Sequence, residues 1–321
     1  YKAIDAGKDG LVKIDVKPEW KDLTVAAKAT TGDDYFDKHL TEINNLNGNE
    51  LPTSHFTQYN LLDGSIRNEV SFAEKRNIAA MVPSWNPETC LQCGQCAMVC
   101  PHATIRGFLL TDEEVANSPV ALNVTDAKGP KVAGMKYAIQ VSPENCVGCG
   151  LCVNECLDPK KTALKMVPNT DAQKAVEAQA NYLYKNVEYK TEFFSTDMPK
   201  GMQFVKPYFE VSGSCPGCGE TPYYRLASQL FGKDMMVSNA TGCSMIYCSA
   251  TPSTPFIKDE NGEGVAWANS LFEDNAEYGY GMALANNYKA AKILGIMEDN
   301  LDKVEPACKE AFEKYFAAGD D

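Results

Sequence analysis

Two runs of cysteine dominate the chemistry that this sequence could perform. The first, "TCLQCGQCAMVCP", spaces four cysteines as C-x2-C-x2-C-x3-C and follows the last one with Pro101. The second, "NCVGCGLCVNECLDP", repeats the spacing at a constant offset of 56 residues, but Leu157 follows its last cysteine and the proline is displaced to Pro159. Thiolates this close together are better placed to share a metal site than to brace distant loops through disulfides.

The spacing favours iron–sulfur chemistry over zinc. Zinc sites usually pair two C-x2-C units across a longer gap, whereas three closely spaced thiolates can wrap one face of a cubane cluster. Small residues such as Gly94 and Ala97 let the backbone approach the inorganic sulfides. In two-cluster ferredoxins the fourth cysteine of each run ligates the other cluster. The predicted ligand sets are Cys90, Cys93, Cys96 and Cys156 for one [4Fe–4S] cluster, and Cys146, Cys149, Cys152 and Cys100 for the other.

A third, looser group lies in "SCPGCGETPYYR" and "ATGCS", and it consists of Cys215, Cys218 and Cys243. A C-x2-C pair with one distant cysteine is open to zinc as well as to a third cubane, for which it is one ligand short. Cys248 follows Cys243 closely and is interpreted as a buried thiol. Cys308 lies in a helical pattern that predicts core packing, so neither is favoured as the missing ligand.

Composition narrows the class of protein. The chain has 321 residues with 13 cysteines, 44% apolar and 23% charged residues, which is typical of a soluble globular protein. A formal charge of −13 argues against a nucleic-acid binder and against binding to an anionic membrane. No apolar run approaches the length of a membrane span, and no signal peptide is evident. These features predict a reducing, oxygen-poor compartment and free thiols.

The elements that must position the cysteines fall into four segments. Residues 1–75 are predicted to be a linker or the tail of an upstream domain, with His55 as an isolated structural histidine. Residues 76–170 are predicted to form a ferredoxin-like 2[4Fe–4S] domain, and residues 171–210 a connector that wraps the next domain. From 211 to 321, alternating strand and helix patterns predict part of a parallel sheet. The predicted fold class is therefore multidomain, combining α/β and α+β parts.

Three stretches of residues 211–321 predict particular strands and helices. "DMMVSNATGCS" predicts a buried strand that runs into a glycine-containing loop, and "NSLFEDNAEYGYGM" predicts a loop leading into a helix. "GETPYYRLASQLFG" predicts a helix that ends at Gly232. Its apolar residues on a helical period are Tyr224, Leu226, Ala227 and Leu230.

The order of these motifs resembles that of the pyruvate:ferredoxin (flavodoxin) oxidoreductases. The resemblance rests on "SFAEKRNIAAMVPSWNPETC", the paired cysteine runs, "VSGSCPGCGETPYYRL", "SNATGCSMIY" and "NSLFEDNAEYGYGM", and so covers essentially the whole chain. It implies oxidative decarboxylation of pyruvate with coenzyme A to acetyl-CoA and CO2. Electrons would pass through [4Fe–4S] clusters to ferredoxin or flavodoxin.

The resemblance also implies cofactors for the last segment, which would be the start of a domain that binds thiamine diphosphate and Mg²⁺. A third, proximal cluster would be held by Cys215, Cys218 and Cys243, and both Glu220 and Cys243 would contact thiamine diphosphate. From the residues alone, Glu220 is equally explained as an acid in the first turn of a helix, where it is favourable.

Parts of that machinery are missing from the sequence. There is no G-D-G motif with a downstream asparagine for Mg²⁺, no identifiable fourth ligand for the third cluster, and no assignable catalytic residue. The chain is therefore expected to be a fragment or one piece of a split enzyme. The expected setting is a cytoplasmic homodimer in an anaerobic or low-oxygen organism. The alternatives are a stand-alone iron–sulfur electron carrier, an oxidoreductase for another 2-oxo acid, and a zinc-stabilised structural module.

Overall fold

The computed structural model describes residues 1–24, 30–63, 66–67, 70–249 and 253–318. Across these ranges, no helix has the length and apolar character that a membrane span requires. The strands are β1 (Met81–Trp85), β2 (Ile105–Leu110), β3 (Thr125–Asp126), β4 (Lys136–Val141), β5 (Leu164–Pro168), β6 (Met236–Asn239) and β7 (Ala266–Asn269).

Most of the α-helices are short. They are α1 (Lys2–Asp9), α2 (Thr41–Asn44), α3 (Ser54–Gln58), α4 (Gln95–Val99), α5 (Asp112–Ala116), α6 (Leu151–Asn154), α7 (Asp171–Lys174), α8 (Val176–Asn186), α9 (Pro199–Met202), α10 (Thr221–Phe231), α11 (Cys243–Cys248), α12 (Asn275–Asp299) and α13 (Pro306–Ala318). A π-helical turn spans Phe36–Leu40, and 3-10 turns span Pro18–Asp22, Gly48–Glu50, Phe72–Glu74, Pro130–Val132, Gly232–Asp234 and Phe272–Asp274.

The two cysteine runs lie in two copies of one strand–helix–strand unit. The first copy consists of β1, α4 and β2, and the second of β4, α6 and β5. The copies exchange strands, because β1 pairs antiparallel with β5, and β2 pairs antiparallel with β4. The second copy has three more residues between its last cysteine and its closing strand, which accommodates the displaced Pro159. The repeat seen in the sequence is thus a repeat of structure.

The core of this unit extends into the segment that was predicted to be a connector. All six residues of β2 are buried, and so are five of the six in β4. Strands buried on both faces need cover, and helix α8 packs on β4 with Ala180 and Leu183 fully buried. Phe204 belongs to the same core. These side chains pack on the cysteine-containing unit, whereas Tyr208 and Phe209 at the end of the same segment pack on the region that follows. The predicted connector therefore contacts both neighbours.

Helix α10 ends at Gly232 as expected, but it buries an unexpected face. Leu230 of the predicted apolar face is 55% exposed, whereas Thr221, Arg225 and Ser228 are buried. Two of these polar residues find backbone acceptors: the Arg225 guanidinium donates to the carbonyl of Met98, in α4, and the Ser228 hydroxyl donates to the carbonyl of Arg225. Hydrogen bonds to a neighbouring unit, which helical periodicity does not reveal, decide the orientation of this helix.

The last segment contains the one parallel strand pair of the described residues, β6 with β7. The expectation of a buried strand was wrong for most of β6: Met236 is 49% exposed, the next two residues are half-buried, and only Asn239 is buried. Helices α12 and α13 contain no buried residue. Cys308 on α13 is accordingly half-buried rather than packed in a core as predicted.

A small separate cluster forms near the N-terminus. Tyr35, Phe36 and Leu40 pack with Val70. Next to them, Nδ1 of His39 lies 3.5 Å from Nδ1 of His55. His55 therefore lies beside a second histidine. The expectation from its sequence context, that it is isolated, was wrong.

Two equivalent glycines provide a matched test of how the repeat is packed. Gly94 and Gly150 precede α4 and α6 with φ of +79° and +76°. A Cβ on Gly94 would lie 2.3 Å from the carbonyl oxygen of Pro199, whereas a Cβ on Gly150 has nothing within 4 Å. Both changes to alanine add left-handed strain of about 1 kcal/mol. We expect Gly94→Ala to lower the urea midpoint of the iron-loaded protein, followed by circular dichroism, more than Gly150→Ala. Equal losses would show that the Pro199 segment is not tightly seated.

Candidate metal centre

The first of two neighbouring cavities is lined by four cysteines, three from the first run and one from the second. Its volume is about 330 Å³. Three of its cysteines lie in the turn before α4 and in α4 itself, and the fourth follows α6. The cysteines are Cys90, Cys93, Cys96 and Cys156, and other residues in the wall include Trp85, Tyr137, Ile139 and Leu164.

The second cavity mirrors the first, with a volume of about 360 Å³. Its cysteines are Cys100, Cys146, Cys149 and Cys152. The chain passes from one cavity to the other between Cys96 and Cys100, a distance of roughly 6 Å for four helical residues. The structure thus brings together the same two sets of four cysteines that the spacing predicted. The two cavities are of nearly equal volume, as two copies of one group would require.

The chemistry of the walls fits a cationic, sulfur-containing group. Burial raises the pKa of the Cys146 thiol to about 12, and it also raises the pKa of Cys90 and Cys152. Buried thiolates are therefore costly unless metal cations compensate them. In the first cavity the Trp85 Nε1–H is buried with no hydrogen-bond partner among the described residues. Cluster sulfur would supply the missing acceptor.

Backbone amides already point at cysteine sulfur in both cavities. The N–H of Gln92 donates to Sγ of Cys90, and the N–H of Gly148 donates to Sγ of Cys146, each at 3.4 Å. Gln92 and Gly148 occupy equivalent places in the repeat, and both have positive φ. Hydrogen bonds to sulfur are one means by which a protein sets the potential of an iron–sulfur cluster.

The sulfur atoms of each set surround a space rather than a point. Within the described ranges, no three or more His, Cys, Asp or Glu side chains converge closely enough to bind a single metal ion. In a cubane each thiolate ligates a different iron, so its four cysteines stand apart. The arrangement is compatible with that geometry.

The third cysteine group is more open. Cys215 and Cys243 are exposed and Cys218 is half-buried, and none of them lines either cavity. Cys215 and Cys218 are joined by a turn in which the Cys218 N–H donates to the Cys215 carbonyl at 3.1 Å. Cys243 begins α11. Cys248, interpreted as a buried thiol, is indeed fully buried.

The turn between Cys215 and Cys218 lies against the second cavity. A Cβ on Gly217 would be 3.8 Å from Cβ of Cys149. His102, which lines that cavity, also lies within 3.5 Å of the Ser214 hydroxyl through its Nε2. Burial and the nearby Arg76 lower the pKa of His102 to about 4, so its ring is neutral at pH 7. The third group therefore adjoins the second cavity.

The described residues do not make a thiamine diphosphate site on their own. Glu220, at the start of α10, and Cys243 are both exposed. No group of side chains that could hold Mg²⁺ accompanies them in the described ranges. Such a site would need further residues from elsewhere.

Comparison with known proteins gives matches both to the unit that contains the paired cysteine runs and to the whole chain. Residues 83–157 match the family described as "4Fe-4S dicluster domain". The pyruvate:ferredoxin oxidoreductase of Moorella thermoacetica is 42% identical over 100% of this chain and 27% of its own length. The pyruvate-flavodoxin oxidoreductase of Klebsiella pneumoniae is 39% identical over the same shares. The mitochondrial pyruvate dehydrogenase [NADP(+)] of Euglena gracilis is 40% identical over 88% of this chain and 15% of its own.

This chain is homologous to one section of the pyruvate:ferredoxin (flavodoxin) oxidoreductases. It spans about a quarter of the length of the Moorella and Klebsiella relatives. The resemblance seen in the order of its motifs is confirmed, and the cysteine-containing unit is a 4Fe-4S dicluster domain.

Asp158 fixes the loop that follows Cys156, the fourth cysteine of the first cavity in this dicluster domain. It accepts hydrogen bonds from the N–H and hydroxyl of Thr162, at 2.6 and 2.8 Å, and from the N–H of Ala163 at 2.9 Å. These bonds, the Thr162 N–H foremost, lower the pKa of Asp158 to about 2. Because this is below the unfolded value of about 3.9, the stabilisation is present above pH 4 and is lost as the pH falls through 2.

We expect Asp158→Asn to loosen this loop and to accelerate loss of the visible cluster absorbance at pH 7. Asp259→Asn is the matched control, because Asp259 also accepts from backbone N–H groups of Asn261 and Glu263 in a loop that lines neither cavity. The control should bleach at the wild-type rate. Equal acceleration in both variants would indicate general destabilisation instead.

Proposed function

We propose that this chain is the electron-transfer section of an enzyme that oxidises pyruvate with coenzyme A to acetyl-CoA and CO2. The observation that carries the proposal is the pair of cavities, each lined by four cysteines drawn from both halves of the repeat. The full-length similarity to pyruvate oxidoreductases supports it. The proposed ligands are Cys90, Cys93, Cys96 and Cys156 for one cluster, and Cys146, Cys149, Cys152 and Cys100 for the other.

When bound, a [4Fe–4S] cluster accepts and releases one electron at a low potential. The residues of this chain surround each cluster site with largely apolar side chains and supply hydrogen bonds to sulfur. Buried Tyr137 closes one wall of the first cavity, with its hydroxyl donating to Oε1 of Gln203 at 2.7 Å. Exclusion of water and fixed donors are what the protein contributes to such a centre.

The packing suggests an order for the sites. The third group, proposed to hold a proximal cluster through Cys215, Cys218 and Cys243, adjoins the second cavity at Cys149. The first cavity reaches the surface at Leu91, which is 49% exposed, and beside Leu157, which is 54% exposed. We infer that electrons enter by the third group and leave at the edge formed by these two leucines.

The remaining parts of the proposal depend on regions outside the described residues. Thiamine diphosphate with Mg²⁺ would be bound mostly elsewhere, with Glu220 and Cys243 contributing from this chain. The acceptor would be a ferredoxin or a flavodoxin, after the names of the Moorella and Klebsiella relatives. A cytoplasmic homodimer is the proposed assembly.

The decisive experiment mixes the anaerobically purified native enzyme with pyruvate and coenzyme A and follows bleaching of the cluster absorbance. Bleaching that requires pyruvate is the expected result. 2-Oxoglutarate is tested in parallel. Faster bleaching with 2-oxoglutarate than with pyruvate would show that the substrate of the enzyme is another 2-oxo acid. If the protein contains iron and acid-labile sulfide but neither acid bleaches it, the chain would be a stand-alone electron carrier. Zinc without labile sulfide would leave a structural module.

The crossed ligand sets predict how pairs of cysteine variants combine. Cys90→Ser with Cys156→Ser should remove one cluster, about four irons, because both cysteines belong to one cavity. Cys146→Ser with Cys156→Ser should remove both clusters, about eight irons. If each run of four cysteines held its own cluster instead, iron analysis would show the larger loss for the first pair of variants and the smaller loss for the second. Cys308→Ser, which changes a cysteine that lines neither cavity, should leave the iron content unchanged.

A further inference from the structure

Arg225 is a buried cation with no carboxylate partner among the described residues. It is 4% exposed. One terminal nitrogen donates to the carbonyl and, at 3.5 Å, to Sδ of Met98, and the other donates to Oε1 of Gln229 at 2.5 Å. Nε has no partner in the described part of the chain. An uncompensated buried charge is costly, so it must be offset by something else.

The second cavity lies beside this side chain, because Ile105 lines both that cavity and the space around Arg225. Met98, which accepts from Arg225, lies in α4 midway between Cys96 of the first cavity and Cys100 of the second. Burial lowers the pKa of Arg225 to about 10 and the Cys100 thiolate opposes this, so the guanidinium stays charged at pH 7. The neighbouring Arg106 adds no net charge, because it forms a buried ion pair with Glu210.

The repeat places a second cation at the equivalent point of the first cavity. Asn154 corresponds to Met98 at the offset of 56, and Nζ of Lys161 donates to its carbonyl at 2.8 Å and to that of Cys156. Lys161, however, is exposed to solvent. Water and salt screen a surface charge far more than a buried one. Each cavity takes one cysteine from the other half of the repeat, Cys156 in the first cavity and Cys100 in the second. The two cluster sites thus differ in how strongly a positive charge near that cysteine acts on the cluster.

We propose that Arg225 raises the reduction potential of the cluster held by Cys100, Cys146, Cys149 and Cys152 above that of its partner in the repeat. Reduction adds one electron and no proton, which makes the cluster one unit more negative. A nearby buried guanidinium stabilises that added charge. The inference rests on the proposed occupancy of both cavities, and it is independent of the pyruvate chemistry.

The test is a redox titration of the native iron-loaded protein, poised chemically with dithionite and mediators and followed by electron paramagnetic resonance. Arg225→Gln keeps a donor for the Met98 carbonyl and removes the charge. It should lower the potential of one cluster by at least the equivalent of a tenfold change in its reduction equilibrium, which is 59 mV for one electron. Arg225→Lys should retain most of the wild-type potential. Lys161→Gln, the matched control, should shift its own cluster less.

Several outcomes would overturn the inference. These are no shift in Arg225→Gln at full iron content, equal shifts in the glutamine and lysine variants, or a shift in both clusters alike. A second comparison does not depend on the folding of Arg225 variants. The cluster that remains after Cys90→Ser with Cys156→Ser should have a higher potential than the one that remains after Cys146→Ser with Cys149→Ser. Absence of iron from the wild-type protein would instead refute the proposed occupancy itself.

Discussion

Each cysteine cavity takes three cysteines from one half of the repeat and the fourth from the other half, and the remaining structure of this region follows from that crossing. The fourth cysteine can reach the opposite cavity only if α4 and α6 pack together, and they do. The strands on either side of the helices then meet their counterparts, so β1 pairs with β5 and β2 with β4. Neither half can close its cavity alone. The two copies are therefore one cooperative unit.

A core arranged in this way also contains buried charges that need partners. Five of its eight cysteines are buried, and its two buried arginines are held by backbone carbonyls and by neighbouring side chains. Arg106 is paired with Glu210, whereas Arg225 is held only by neutral groups. Buried ionic groups contribute little net stability, but they fix geometry, because an unpaired one is costly. The segments after the dicluster domain are thus oriented by polar contacts as much as by apolar packing.

The sequence predicted the parts of this structure that are locally encoded. Cysteine spacing within eleven residues sets which thiols can reach one cavity, and the repeat indicates the crossing, so the pattern predicts the grouping of the eight cysteines around two cavities. The buried face of α10 was not, because Arg225 bonds to Met98, which is 127 positions away in the chain. The pairing of His39 with His55 depends on a fold of the N-terminal segment that periodicity does not reveal. The neighbours of Cys215 and Cys218 were likewise beyond local patterns, since Cys149 approaches them through tertiary packing.

The polar face of α10 has a consequence for the temperature dependence of the molecule. Exposing apolar surface raises the heat capacity on unfolding, and exposing polar surface lowers it. The buried residues of α10 are Thr221, Arg225 and Ser228, of which Arg225 contacts the dicluster domain at Met98, whereas the core of the domain itself consists mainly of aliphatic and aromatic side chains. Undocking of the helix therefore carries a smaller heat-capacity change than unfolding of the domain. The free energy of undocking should therefore curve less with temperature than the free energy of unfolding of the domain, so the seating of the third cysteine group is less affected by the loss of hydrophobic stabilisation on cooling.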